Sequence, residues 1–196
     1  MTTHYSELQL DALRELANIG SGNAATALST MLGRPINISV PSAFAVPLAE
    51  AVETVGPADL EVTGVVIPVE GDLEALVLLV FTPAEAATLC RLLGVEPDTD
   101  VGVSALAEVG NILGCSYIGG LAALAGLDMS PHPPETIVDM LGAILSSALV
   151  TGVQASDLAL LLDSKLEIEG EACSFVFVFV PDEAGVAGLL QRLGVA

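Results

Sequence analysis

Basic side chains are nearly missing from this chain: 5 Lys and Arg stand against 25 Asp and Glu, and Lys165 is the single lysine. A formal charge of −20 leaves no phosphate-neutralising surface, which excludes ordinary nucleic-acid binding. Anionic membrane surfaces are disfavoured for the same reason. Aromatics are scarce at 4%, with no Trp, so a core has to be built from Ala, Val, Leu and Ile. Hydrophobic residues reach 53%, too many for an acidic disordered chain. The histidines, His4 and His132, are isolated and make no metal site. Cys90, Cys115 and Cys173 form no C-x-x-C pair, and each lies in an apolar run. They read as buried free thiols in a reducing cytoplasm. No G-x-S-x-G nucleophile motif occurs, and no histidine is placed to activate a serine. The first six residues lack the basic and apolar regions of a signal peptide.

Mean hydropathy is high at +0.73, and the runs Val109–Leu127 and Met140–Ser156 carry no charge. Length alone would let either cross a bilayer. Polar and glycine interruptions in the first run, its acidic flanks Glu108 and Asp128, and the lack of any Lys or Arg between Arg91 and Lys165 favour a buried soluble helix. The acidic excess suits a carboxylate-covered surface in molar salt, where the Debye length shrinks to about 3 Å. The expected location is the cytoplasm.

Against this plain background one polar pattern stands out, because it occurs twice. Asp11, Glu15, Asn18 and Pro41 recur as Ser104, Glu108, Asn111 and Pro134, each displaced by 93 residues (104 − 11, 108 − 15, 111 − 18, 134 − 41). The surrounding elements recur in the same order. The first half reads as a helix from about Ser6, with Gly20-Ser21-Gly22-Asn23 as a bend or a point of close packing, continuing from Ala24 to Leu32. Next come a strand at Ile36–Val40, an extended Val46–Val55, and a hairpin of Leu60–Val69 and Leu73–Phe81 about Glu70-Gly71-Asp72. Thr82 as N-cap, Pro83 at N1 and Glu85 at N3 then open a helix that ends at Gly94.

After a linker, Glu96–Gly102, the second half repeats the order. A helix covers Ser104 to about Leu124, with a break from Gly126 to Pro134. A hairpin of Leu158–Ile168 and Ala172–Val180 and a closing helix from Asp182 or Glu183 to Leu193 follow. The hairpin turns lie 99 apart (170 − 71), which places six added residues between motif and hairpin, and Glu135–Leu149 reads as an extra or longer helix. The implied fold is α+β: two pseudo-symmetric repeats, about 6–95 and 103–194, form one domain over 1–196 with an antiparallel sheet flanked by helices.

Positions i, i+4 and i+7 share one helix stripe, at roughly 0°, 40° and −20°. Asp11, Glu15 and Asn18 thus form one polar line, and Ser104, Glu108 and Asn111 a second. Structurally, Asp or Ser at a helix head is a cap and Glu an ordinary exposed residue, but mid-helix asparagines need another reason. Pro41 and Pro134 read as strand-edge or turn residues. Glu and Asn without nucleophile, metal or histidine are too few for most hydrolyses. They suffice where the substrate brings the rest, as an aspartyl phosphate on a response regulator does with its Mg²⁺ and lysine. An amide then orients the water and a carboxylate pairs with the lysine.

The doubled motif, with Asn-Ile-Gly-Ser-Gly-Asn-Ala-Ala-Thr-Ala after Glu15 and Glu-Val-Gly-Asn-Ile-Leu-Gly around Asn111, resembles the CheC/CheX/FliY family of chemotaxis phosphatases, the CheC branch above all. That resemblance implies dephosphorylation of phosphorylated CheY. Asn18 and Asn111 would position water, and Glu15 and Glu108 would meet the regulator's lysine. Asp11 and Ser104 would support the helix start or the regulator contact. It implies no cofactor of the chain's own, Mg²⁺ on the regulator, and the receptor deamidase CheD as a further partner. The rival reading is a non-catalytic adaptor for CheD or a regulator. A small-molecule hydrolase would need a metal or nucleophile that the sequence does not offer.

Overall fold

A computed structural model describes residues 7–150, 158–182 and 185–192. The first half runs α1 (Glu7–Leu32), β1 (Ile36–Pro47), α2 (Leu48–Val55), β2 (Glu61–Gly71), β3 (Ala75–Phe81) and α3 (Pro83–Leu93). The second runs α4 (Asp100–Ala125), β4 (Met129–Pro131), β5 (Glu135–Met140), α5 (Leu141–Val150), β6 (Leu158–Ile168), β7 (Glu171–Pro181) and α6 (Gly185–Arg192). The offset of 93 holds well beyond the motif: 100 − 7, 125 − 32, 129 − 36, 140 − 47 and 141 − 48 all equal it. The single strand β1 therefore corresponds to β4 and β5 together. Where the second copy breaks at His132–Pro134, the first has a register shift between Ser39 and Ser42.

Two expectations fail here. The stretch read as extended, Val46–Val55, contains α2, and Glu135–Leu149 is a strand followed by a helix rather than one helix. Leu48, Ala51, Val52 and Val55 give α2 an apolar stripe at i, i+3, i+4 and i+7, with Ala51 1% exposed. Thr136-Ile137-Val138 is β-branched and pairs with β2, so residues 135–140 take the extended form. Of the two expected starts of the closing helix, Asp182 instead continues the strand pairing, its N–H donating to the Glu74 carbonyl at 2.8 Å; Glu183 and the expected end at Leu193 lie outside the described residues.

All strand pairs are antiparallel, in the order β1-β6-β7-β3-β2-β4, with β5 also on β2. The equivalent strands β3 and β7 are neighbours at the centre, so the pseudo-two-fold axis passes between them. The leading strand of each half pairs with the hairpin of the other: β1 with β6, β4 and β5 with β2. The halves are thus joined by backbone hydrogen bonds as well as side-chain packing. β3 is buried at every position because both faces are covered. Ala75, Val77, Leu79 and Phe81 meet the layer of α1, α3, α4 and α6. Leu76, Leu78 and Val80 meet α2 and α5.

The long helices α1 and α4 lie against each other on one face of the sheet. α1 runs without a break through Gly20-Ser21-Gly22-Asn23, so the bend is absent and the close approach is what Gly20 serves. A Cβ there would lie 2.8 Å from the Tyr117 Cα. Tyr117 anchors the crossing: its ring stacks on Phe177 at 4.6 Å, and its hydroxyl meets the buried Ser164 hydroxyl at 3.2 Å. The expected cap of α3 is present in full. Thr82 Oγ1 accepts from the Glu85 N–H at 3.3 Å, and the Glu85 carboxylate accepts from the Thr82 N–H at 3.1 Å. The cap of α4 is Thr99, whose Oγ1 accepts from the Gly102 N–H at 3.1 Å. α4 therefore begins one turn before Ser104, and the end of the expected linker is helical.

Candidate functional site

Among the described side chains of α1, Leu16, Ala17, Gly20, Ser21, Ala24 and Leu28 are buried, while Asp11, Glu15 and Asn18 face solvent. Asp11 does not cap the helix, which begins at Glu7; its carboxylate accepts from Arg14 Nη1 at 2.7 Å. Among the described residues, no hydrogen bond or ion pair engages the side chains of Glu15 or Asn18.

On α4 the buried side is Leu106, Val109, Gly110, Leu113, Gly114, Tyr117, Ile118, Gly120 and Leu121. Gly110 lets the helix sit on β2, since a Cβ there would come within 2.6 Å of Val65. By length and composition α4 could cross a membrane, but here it packs on α1 and the sheet. Ser104 and Glu108 are exposed and Asn111 half-buried. Ser104 stands in the second turn, so it too is not a cap.

One residue at this stripe was misread from the sequence. Cys115 is exposed, unlike the buried Cys90 and Cys173, and its thiol lies 3.4 Å from Asn111 Oδ1 as a donor. Partial burial, and then the charge of Glu108, push its pKa up. The spacing from Asn111, i+4 on a helix, was the signal available. The equivalent position in the first copy is Gly22 (115 − 93), with nothing within 4 Å of a built Cβ.

Each motif is thus gathered on one helix, but the two motifs are not gathered together. Elements on the same face related by a two-fold through the sheet run in opposite directions, so the N-terminal halves of α1 and α4 point to opposite ends of the layer. Pro41 sits in the irregular part of edge strand β1, and Pro134 immediately precedes β5. Both prolines thus stand in or beside a strand. No cluster of three metal-ligating side chains occurs among the described residues. The apolar cavity under the helix crossing, lined by residues such as Leu16, Phe44, Tyr117 and Phe179, is about 30 Å³ and excludes Glu15, Asn18, Glu108 and Asn111. Glu and Asn are therefore presented on outward helix faces rather than in a cleft. Such a group acts on a substrate that supplies its own cleft.

Known proteins share both the sequence pattern and the fold. The CheC-like family model matches residues 8–44 and again 101–138. The CheY-P phosphatase CheC of Bacillus subtilis is 36% identical over 168 residues, covering 82% of this chain and 80% of that protein. Among solved structures, FliY of Thermotoga maritima superposes with a TM-score of 0.74 at 23% identity, covering 98% of each chain. CheX in a complex with CheY, BeF3 and Mg²⁺ from Borrelia burgdorferi gives 0.51 at 16% identity, covering 87% of this chain and 99% of that one. At those identities the structural likeness speaks to the fold; the sequence relation speaks to descent. This chain belongs to the CheC-like family.

Proposed function

We propose that this chain hydrolyses the aspartyl phosphate of phosphorylated CheY. Water attacks phosphorus, the bond from phosphorus to the aspartyl oxygen breaks, and aspartate and inorganic phosphate leave. The observation that carries the reading is the pair of outward stripes, each offering an amide and a carboxylate on one helix, with no competing partner for Glu15 or Asn18 among the described residues. Asn18 or Asn111 holds the water in line, and Glu15 or Glu108 pairs with the regulator's lysine. Mg²⁺ on the regulator neutralises the phosphoryl oxygens, and the chain needs no cofactor of its own. Orientation of this kind is worth several kcal/mol of barrier. Asp11 and Ser104 are contact residues in this scheme. The chain acts as one cytoplasmic domain with two sites. CheD remains a proposed second partner on family resemblance, tested by co-elution with the purified deamidase.

The decisive measurement is the lifetime of CheY phosphate, with Mg²⁺ in molar KCl, alone and with each variant. Asn18→Ala and Asn111→Ala each leave part of the acceleration, and the double variant returns the unaided rate. A double variant as active as the parent overturns the mechanism. Binding of CheY by the parent chain with no change in lifetime would instead identify an adaptor.

A further inference from the structure

Two large apolar side chains on the long helices are exposed to almost the same degree: Leu8 at 64% and Val101 at 63%. They are repeat equivalents (101 − 8 = 93), and each belongs to its stripe. Positions 8, 11, 15 and 18 are i, i+3, i+7 and i+10, which fall within about 80° of helix surface. Leu8 and Glu15 are two turns apart and only about 20° out of line, roughly 10 Å along the axis. The same holds for Val101 and Glu108.

A lone exposed Leu is ordinary. What separates this pair from ordinary exposure is its recurrence on the stripe. Met31 and Leu124 also recur, exposed at 43% and 44%. They stand about 140° around the helix from Leu8 and Val101, at the other end of each helix.

We propose that Leu8 and Val101 are apolar anchors, each seating the receiver domain of the phosphorylated regulator over its own stripe. This deepens the phosphatase reading and rests on it. A regulator that brings its aspartyl phosphate to Asn18 has to lie across the outer face of α1. A protein contact of ordinary size, about 800 Å² per partner, reaches roughly 16 Å from its centre, and Leu8 lies about 15 Å along the axis from Asn18, so it falls at the rim of that footprint. The complementary surface is an apolar patch beside the regulator's phosphorylated aspartate. Charge alone serves this chain poorly as glue. It carries −20, and salt weakens any ion pair across the contact, whereas apolar burial survives salt. The anchor supplies affinity and register, and Glu and Asn the chemistry.

The test compares Leu8→Asp with Val101→Asp in one double variant against Met31→Asp with Leu124→Asp, both in the full chain. Two quantities are read: the KM and kcat of CheY-phosphate turnover, and direct binding of CheY loaded with beryllofluoride and Mg²⁺. The anchor variant should raise KM and Kd by about tenfold or more, the loss of one buried Leu or Val side chain, with kcat held within about twofold. The off-stripe variant should leave both constants alone. Unchanged KM and Kd in the anchor variant overturn the proposal, as does an equal rise in the off-stripe variant. If the parent binds CheY without hydrolysing it, the catalytic reading falls while Kd still decides the anchor. If the parent does not bind CheY at all, both fall. Conversion of a parent dimer to monomer by the anchor variant, with CheY binding intact, would assign the stripe to a second copy and overturn the proposal.

Discussion

Gly20 and Gly22 lie on the same helix, two residues apart, and the same substitution should act on them in opposite directions. An Ala Cβ at position 20 would stand 2.8 Å from the Tyr117 Cα, where ordinary contact begins at 3.4 Å. The helices must therefore separate by at least 0.6 Å (3.4 − 2.8) or the Tyr117 backbone must shift. Overpacking of that kind costs about 1–3 kcal/mol. At position 22 a Cβ meets nothing within 4 Å, so only the helix-propensity gain of about 1 kcal/mol remains. That gain applies at both positions and cancels in the comparison, so the gap between Gly20→Ala and Gly22→Ala isolates the overpacking at about 1–3 kcal/mol. Urea unfolding of both variants in one high-salt buffer reads it directly. Thermal melts should separate in the same order, by about 2–4 °C per kcal/mol for a chain of this size. Gly20→Ala at or above the stability of Gly22→Ala would refute the account of the crossing.

Burial pushes the Cys173 thiol up from 9.0 to about 12 and the Tyr117 hydroxyl up from 10.0 to about 12. The folded state thus holds both groups neutral. Their contribution is complete below pH 9, declines as pH rises through 9–12, and is gone above about 12. Melting temperature should fall across that window, and Cys173→Ala should flatten the fall; an unchanged slope would contradict it. Cys115 should be the thiol that labels in the native protein, with Cys90 and Cys173 reacting on unfolding. In an Asn18→Ala background, Cys115→Ala should slow turnover at the remaining site by about two- to fivefold, the worth of one weak hydrogen bond. Cys115→Ser should restore the rate, and equal loss in both variants would refute a positioning role.

Features set by neighbours along the chain were legible in the sequence. The Thr82–Glu85 cap, the hairpins turning at Gly71 and Gly170, and the two stripes all depend on spacing within a few residues. The same local logic started α4 at Ser104 and left Thr99 in the linker, yet Thr99, five residues earlier, is the cap. Apolar runs were less decisive. Glu135–Leu149 shows no clean alternation that would separate a strand from a helix, and pairing with β2 is what draws its first six residues into a strand. The crossed pairing of β1 with β6 spans more than a hundred residues and leaves no local trace. Cys115 was misjudged because an apolar run on a helix still has one face in solvent.

Inheritance alone could leave two copies alike, so the pattern of likeness matters more than its existence. Among the described residues of α1 and α4, six positions are buried in both copies: 16/109, 17/110, 20/113, 21/114, 24/117 and 28/121. Of these, only Leu28 and Leu121 are the same residue; Gly20 faces Leu113 as its equivalent, and Ala24 faces Tyr117. Packing explains the divergence, since each copy need only fill the space its own neighbours leave. On the outward face most pairs differ too, and the likeness is confined to the motif stripe. Glu15 and Glu108 agree, Asn18 and Asn111 agree, and Leu8 and Val101 remain apolar where solvent would accept anything. The companions around them have drifted: Asp11 is paired by Arg14, while Ser104 has Ala107 at that place, and Gly22 stands where Cys115 meets Asn111. Identity at Glu and Asn of the stripe, where most other exposed pairs have changed, is not explained by packing within the fold. A second molecule that meets both stripes with the same surface accounts for it.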